Sequence, residues 1–139
     1  MSVLVDSSIW SIALRRNPEV LAPHQITLRE TFLRLIREGQ VQIIGPIRQE
    51  VLSGIRHESQ FQRLQRELRA FDDVELVTED YEEASRMFNL CQAKGVSGSH
   101  IDFLICAVAA RRRWSIFTTD RDFRAISTHF GLDLFDRSL

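Results

Sequence analysis

The stretch VLVDSSIW, Val3 to Trp10, places an aspartate directly after a short apolar run. Three apolar residues followed by a polar residue and then by a segment of helical period predict a strand that leads into a helix over residues 8–14. In an open α/β sheet, ligands bind beyond the carboxyl ends of the strands. The stretch therefore places Asp6 at an edge of a sheet where ligands bind.

Short apolar runs of this kind recur along the chain and alternate with longer segments of helical period. This alternation is typical of α/β folds with a parallel sheet. The chain has 139 residues, of which 44% are apolar, and this is enough to close one core. We therefore expect a single domain over residues 1–139. The predicted strands cover residues 3–5, 41–44, 74–77, 115–118 and 132–135.

The sequence shows no pattern typical of a membrane span, a targeting segment or a cysteine metal site. The chain contains no long apolar run that predicts a membrane span, and no basic segment precedes the first strand, so we expect a cytoplasmic protein without a membrane partner. Cys91 and Cys106 lie in helical apolar patterns without a second cysteine or a histidine at metal-binding spacing. Both are interpreted as core thiols.

The cations are almost all arginine, because Lys94 is the only lysine in a chain of net charge −1. Arginine binds phosphate or carboxylate through two parallel hydrogen bonds, and the arginines occur in clusters. Each cluster also fits a solvated surface. Arg15, Arg16 and Arg112 are the predicted contacts to a phosphate-bearing ligand.

Three further acids are predicted at the same edge as Asp6. Asp120 follows the strand that ends near Thr118, and Glu50 lies in the first turn of a helix over residues 47–55 that follows Gly45-Pro46. Asp102 lies in the first turn of a helix over residues 99–113. Helices that follow parallel strands begin at the carboxyl ends of those strands, so all four carboxylates are expected to face one crevice.

Each acid also has a structural explanation. Asp6 fits an N-cap, Asp102 forms a capping-box pattern with Ser99, and Glu50 fits a solvated first turn. Asp120 and Asp122 are both common turn residues. These alternatives stay open for each residue alone, but they do not explain why the acids fall at one end of a sheet.

A group of neighbouring carboxylates predicts a bound cation. Burying several of them together raises their pKa values and costs stability unless a cation neutralises them. Mg²⁺ and Mn²⁺ prefer carboxylate and water oxygens, and the sequence offers no cluster of thiols or histidines for a softer metal. His100 is the histidine closest in sequence to these acids, and it fits either the edge of the site or a surface or capping role.

Four segments resemble the motifs of PIN-domain ribonucleases, and within them those of the VapC toxins of bacterial and archaeal toxin–antitoxin pairs. They occur in the order found in that family, and residues 56–98 are matched only by helical character. In the third segment Cys106 replaces an alanine. The segments are VDSSIW at 5–10, EVLSG at 50–54, DFLICA at 102–107 and TTDRDF at 118–123.

The resemblance implies a three-layer α/β/α PIN-like nuclease domain over residues 1–139, with a mainly parallel sheet of about five strands. It implies an endoribonuclease dependent on Mg²⁺ or Mn²⁺ that cleaves single-stranded or loop RNA, leaving a 5′-phosphate and a 3′-hydroxyl. It also implies a homodimer that is inhibited by a cognate VapB-like antitoxin.

The resemblance further assigns roles to individual residues. The catalytic and metal-binding acids are Asp6, Glu50, Asp102 and Asp120. Ser8 and Thr118 are supporting hydroxyls that orient the carboxylates. Asp122 is a supporting residue, either as the N-cap of a helix that starts near Phe123 or through a water on a second metal. Arg15, Arg16 and Arg112 are the RNA contacts, while Trp10 and Phe123 fit either base stacking or the core.

Two other functions were compared with this interpretation. The first is a PIN fold that serves as a binding module without nuclease activity, which the presence of all four acids disfavours. The second is a phosphatase that forms an aspartyl-phosphate. That chemistry requires a second acid two residues after the nucleophile, where Ser8 stands, and a lysine near the edge of the sheet, whereas Lys94 ends a predicted helix.

Overall fold

Three short parallel strands form the centre of the molecule. In the computed structural model, which describes residues 1–135, β1 (Val3–Val5) lies between β2 (Val41–Gln42) and β3 (Ser115–Phe117). All residues of β1 are fully buried, as expected for a strand covered on both faces. The α/β class and the parallel sheet are confirmed.

The two outer strands of the predicted sheet are reduced to single bridges in the described residues. Asp73 pairs with Ile43, and Leu134 pairs with Ile116, both in parallel orientation. The chain enters a helix at Gly45, two residues after Ile43, so the β2 side of the first edge lacks the length for further pairs. A sheet of three strands with a bridge at each edge therefore replaces the five strands that were predicted.

The helices fill the connections between the strands. They are α1 (Ser7–Trp10), continued by a π-helical turn (Ser11–Arg15), a 3₁₀ turn (Pro18–Val20), α2 (Pro23–Arg37), α3 (Gly45–Leu52), α4 (Glu58–Leu68), α5 (Thr78–Ala93), α6 (His100–Arg112) and α7 (Asp122–Phe130). None of these helices, within residues 1–135, is both long enough and apolar enough to cross a membrane.

The strand order places helices on both faces of the sheet. The chain moves from β1 to β2 through α2, then returns past β1 to β3 through α3 to α6. Because parallel crossovers are right-handed, connections that run in opposite directions cover opposite faces, which gives the three-layer α/β/α arrangement. Residues 103–109 of α6 are buried, so this helix forms much of the core.

Trp10 fixes the start of the chain against the sheet. Its indole N–H donates to the Val5 carbonyl at 3.0 Å, and its ring packs edge-on against Phe32 and Phe71 at centroid distances of 4.8 and 5.0 Å. Trp10 and Phe123 are both fully buried, so both belong to the core. Trp10 therefore locks the turn between β1 and α1, which carries Asp6.

Candidate active site

The predicted acids line one cavity at the carboxyl end of the sheet. The cavity has a volume of about 290 Å³ and lies beyond the central strand β1. The connections from β1 to β2 and from β2 to β3 run in opposite directions along the sheet. Open α/β sheets bind ligands at such a position. Its lining consists of the carboxylates of Asp6, Glu50, Asp102 and Asp120 together with Ser7, Ser8, Ser11, Arg15 and Val51.

Asp6 is the most deeply placed of the four acids, with 6% of its surface exposed. Its N–H donates to the Phe117 carbonyl at 2.9 Å and so extends the pairing between β1 and β3. Its Oδ2 accepts from the hydroxyls of Ser8 at 2.9 Å and Thr118 at 2.8 Å. Asp6 stands at the N-cap position of α1, but its carboxylate makes no capping bond to that helix. Hydroxyl groups hold this carboxylate instead.

Both hydroxyls also bind the loop that follows β3. Ser8 Oγ accepts from the Thr119 N–H at 3.1 Å, and Thr118 Oγ1 accepts from the Asp120 N–H at 3.0 Å. Both hydroxyls donate to Oδ2 of Asp6, so Oδ1 has no side-chain donor among residues 1–135. The arrangement fixes the Asp6 carboxylate through Oδ2 and leaves Oδ1 free of side-chain bonds within the described residues.

Asp102 forms the predicted capping box and also lines the cavity. Its N–H donates to Ser99 Oγ at 3.1 Å, and its Oδ2 accepts from the Ser99 N–H at 2.9 Å. The capping interpretation of Asp102 is therefore correct as a description of its contacts. The same contacts hold the half-buried carboxyl beside the other acids.

The two more buried acids of the cavity both resist ionisation. Burial raises the pKa of Asp6, although the hydroxyls of Thr118 and Ser8 oppose this effect, and the charge of Glu50 adds to it. Burial also raises the pKa of Asp102, with further contributions from Asp120 and Asp6. Neither carboxyl has an ion-pair partner within 4.0 Å among residues 1–135. A bound cation would remove this cost.

Glu50 lies in the second turn of α3, not in the first turn that was predicted. The helix begins at Gly45, with Pro46 in its first turn, and ends at Leu52 because Gly54 has a φ of 82°. The Ser7 hydroxyl donates to Glu50 Oε1. Ser7 was not predicted as a site residue, because nothing in the pair Ser7-Ser8 shows which hydroxyl faces which acid.

Asp120 keeps its predicted place in the cavity and also accepts the bond that was predicted for Asp122 as a cap. Asp122 is the first residue of α7, and its N–H donates to Asp120 Oδ1 at 2.9 Å. The prediction that Asp122 is the N-cap is therefore wrong, and Asp120 stabilises the start of the helix. Asp102, Asp120 and Asp122 each offer an oxygen within 4.8 Å of the others. Asp122 therefore belongs to the acidic group.

The donor set of this group fits a hard divalent cation. Among the described residues, oxygens of Asp102, Asp120 and Asp122 form the close group, and Asp6 and Glu50 line the same cavity outside that group. Oxygen ligands of this kind suit Mg²⁺ or Mn²⁺. His100 does not join them, because its ring stacks on Phe88 at a centroid distance of 4.9 Å.

The predicted arginines divide between the cavity and other places. Arg15 lines the cavity, and Arg16 is exposed directly after the π-helical turn. Arg112 lies ten residues beyond Asp102 on α6, about 15 Å along the helix axis. Its guanidinium binds both carboxylate oxygens of the fully buried Asp80, at 2.7 and 2.9 Å. The structure does not bring Arg112 to the cavity.

Comparison with known proteins agrees with the fold and with the order of the motifs. The family model described as PIN domain matches residues 3–128. The structure is similar to FitAcB from Neisseria gonorrhoeae, with a TM-score of 0.74 and 14% identity over 96% of each chain. A search of curated proteins gave no match.

Two further solved structures share this fold. VapBC2 from Rickettsia felis, bound to a DNA fragment from its promoter, has a TM-score of 0.72 and 15% identity over 96% of this chain and 97% of its own. A toxin-antitoxin complex from Klebsiella pneumoniae has a TM-score of 0.65 and 20% identity over 88% and 90%. At these identities the similarity establishes the fold alone.

Proposed function

Because the chain belongs to the PIN-domain family, we propose that it is an endoribonuclease dependent on Mg²⁺ or Mn²⁺ that hydrolyses RNA phosphodiester bonds. One observation carries the proposal. Asp6, Glu50, Asp102 and Asp120 are far apart in sequence but line one cavity at the carboxyl end of the sheet. The two more buried acids have raised pKa values, so the group gains from a cation.

The carboxylates of Asp6, Glu50, Asp102 and Asp120 would hold the cation, with Asp122 beside them. When bound, the ion supplies charge neutralisation on the phosphate and a more acidic water. Ser8 and Thr118 keep the Asp6 carboxylate in one orientation through its Oδ2. Small displacements of such groups cost activity steeply, because hydrolysis of a phosphodiester depends on positioning.

Arg15 supplies a positive charge in the same cavity as these acids. It lines the same cavity from the end of the π-helical turn. A guanidinium donates two parallel hydrogen bonds to a phosphate, so Arg15 is suited to hold a non-bridging oxygen of the RNA backbone. Arg16, exposed next to it, extends this contact along single-stranded or loop RNA.

The similar structures suggest the biological setting. They are complexes with the names FitAcB and VapBC2, and one is described as a toxin-antitoxin complex. We propose that residues 1–139 form one nuclease domain that acts as a VapC-like toxin on cytoplasmic RNA and is inhibited by a cognate VapB-like antitoxin.

We further propose that the protein forms a homodimer. An apolar hollow of about 470 Å³ between α5 and α6, beside the 52% exposed Tyr81, offers a surface for such contacts.

The test is cleavage of end-labelled single-stranded RNA by purified protein. Cleavage should require Mg²⁺ or Mn²⁺, stop in EDTA, and leave a 5′-phosphate and a 3′-hydroxyl. Asp6→Asn should remove activity while the protein stays folded. Asp72→Asn is the matched control, because Asp72 is exposed and does not line the cavity. Equal activity of wild type and Asp6→Asn would contradict the proposal.

A further inference from the structure

A second hollow adjoins the acidic cavity. It has a volume of about 460 Å³, and Asp120 lines both spaces. Thr118 and Thr119, which bond to Asp6 and Ser8, form part of its wall. The two spaces therefore meet at Asp120, where one extended ligand has room to occupy both.

The rim of the hollow is cationic, in contrast with the acidic cavity. Arg121 and Arg124 lie three residues apart at the start of α7, where side chains at this spacing share a helix face. His24 adds an imidazole from the first turn of α2. Both arginines are exposed, and neither forms an ion pair with an acid among residues 1–135. Two guanidinium groups side by side suit a phosphate.

The floor of the hollow is apolar. Phe135 and Leu134 are partly exposed there, and the buried Phe117 and Leu28 support them from below, with the rings of Phe117 and Phe135 edge-on at a centroid distance of 5.2 Å. The hollow has cations at its rim and aromatic and aliphatic side chains below them. A nucleotide is complementary to this arrangement, because its phosphate is charged and its base is flat and weakly polar. The volume lies within the range of pockets that hold small ligands, roughly 300–1,000 Å³.

We propose that this hollow binds the nucleotide next to the scissile phosphate, with the phosphate of that nucleotide on Arg121 and Arg124. The inference rests on the proposed function and adds a site for substrate positioning. An acidic segment of a partner protein would use the same arginines but would gain less from the aromatic floor. The favoured occupant is therefore a single RNA strand.

The test uses Arg121→Gln combined with Arg124→Gln. Arginine near a helix N-terminus is unfavourable for the helix dipole, so these changes should not destabilise the fold. The control is Arg34→Gln combined with Arg37→Gln, which removes the same number of charges from exposed sites in the last turn of α2, about 15 to 20 Å along the helix axis from His24.

Affinity for a dye-labelled single-stranded RNA is measured by fluorescence anisotropy in Ca²⁺ at several salt concentrations, and gels confirm that the RNA stays intact. Each phosphate contact on a single strand contributes roughly 0.7 to the slope of log K against log salt. The double variant should therefore lose about 1.4 from the slope and bind roughly 25-fold more weakly at 0.1 M salt. The control should match wild type.

A slope equal to that of the control variant, Arg34→Gln with Arg37→Gln, would overturn the inference and leave the proposed nuclease untouched. Weaker binding without a change of slope would also overturn it, because that result indicates a structural effect. Wild-type protein that binds no RNA would reject both the site and the function. The expected change of slope in a protein that never cleaves RNA would support the site and reject the nuclease.

Discussion

Replacing Asp102 by asparagine should stabilise the metal-free protein, although most substitutions destabilise. The Asp102 carboxyl is half-buried, and burial together with the charges of Asp120 and Asp6 raises its pKa. Asparagine has the same shape and can still accept from the Ser99 N–H, which Asp102 binds at 2.9 Å. The substitution therefore removes a charge and keeps the cap.

The expected gain follows from the distances between the acids. Oxygens of Asp102, Asp120 and Asp122 lie within 4.8 Å of one another. At that separation two unit charges repel by about 0.9 kcal/mol in water, and water is the appropriate medium because Asp120 and Asp122 are exposed. Asp102→Asn removes two such repulsions. It also loses about 0.5 kcal/mol of favourable interaction between the Asp102 charge and the helix dipole, which the relieved repulsion exceeds. The net gain is about 1 kcal/mol, or about 4 °C in Tm.

The assay is urea denaturation of both proteins in EDTA and in Mg²⁺. In EDTA, Asp102→Asn should be the more stable protein. A free Mg²⁺ concentration tenfold above Kd should stabilise wild type by about 1.4 kcal/mol and leave the variant nearly unchanged. The order of stability should therefore reverse when the metal is added.

Asp80→Asn is the matched control, since it removes the same charge from an acid with cationic partners. Asp80 is fully buried and binds both Arg111 and Arg112. Breaking a buried ion pair of this kind costs about 3 kcal/mol, here with or without metal. The reasoning would be refuted if Asp102→Asn also lost stability in EDTA.

Three further predictions concern individual contacts. Arg112 holds the pKa of the Asp80 carboxyl well below its usual value of 3.8, so the stability that this carboxylate contributes is complete above about pH 5 and is lost as the pH falls further. The difference in unfolding free energy between wild type and Asp80→Asn should shrink between pH 5 and pH 2.5 in urea titrations. Thr118→Val removes one hydroxyl from Asp6 and should weaken Mn²⁺ binding about 10- to 100-fold in calorimetry. Arg48→Met breaks bonds to Asp73 and to the Leu68 carbonyl and should lower the unfolding free energy by about 2 kcal/mol, with cleavage per folded molecule unchanged.

The position of Asp6 follows from the sequence because two local rules agree. An apolar run of three residues is enough to define a central strand, and ligand sites in such sheets lie at the carboxyl ends of strands. The same reasoning places Asp120 correctly, since it follows β3. The length of the outer strands does not follow from the sequence in this way, because it depends on which neighbouring strand is available for pairing. Residues 74–77 have strand-like composition, but only one pairing position exists beside Ile43.

The roles of the arginines were the least predictable feature. Nothing in the sequence next to Arg112 or Arg124 shows which of them forms an ion pair. Arg112 binds Asp80, which lies 32 residues earlier in the chain. Arg121 and Arg124 reach the hollow beside Asp120 only because α7 begins where β3 ends. Asp122 is not the predicted N-cap because α7 begins at Asp122, one residue before the predicted start near Phe123. Such contacts depend on tertiary packing, which a single sequence does not encode locally.

The most direct test of the metal centre is a titration of Mn²⁺ into purified protein, followed by calorimetry. Wild type should bind Mn²⁺ with a defined stoichiometry, and the binding should weaken as the pH is lowered, because the raised pKa values of Asp6 and Asp102 let protons compete with the metal for these carboxylates. Asp6→Asn should lose this binding, and Asp72→Asn should keep it. Folded wild-type protein that binds no Mn²⁺, or an Asp6→Asn variant that binds it as tightly as wild type, would contradict a metal-dependent active site in this cavity.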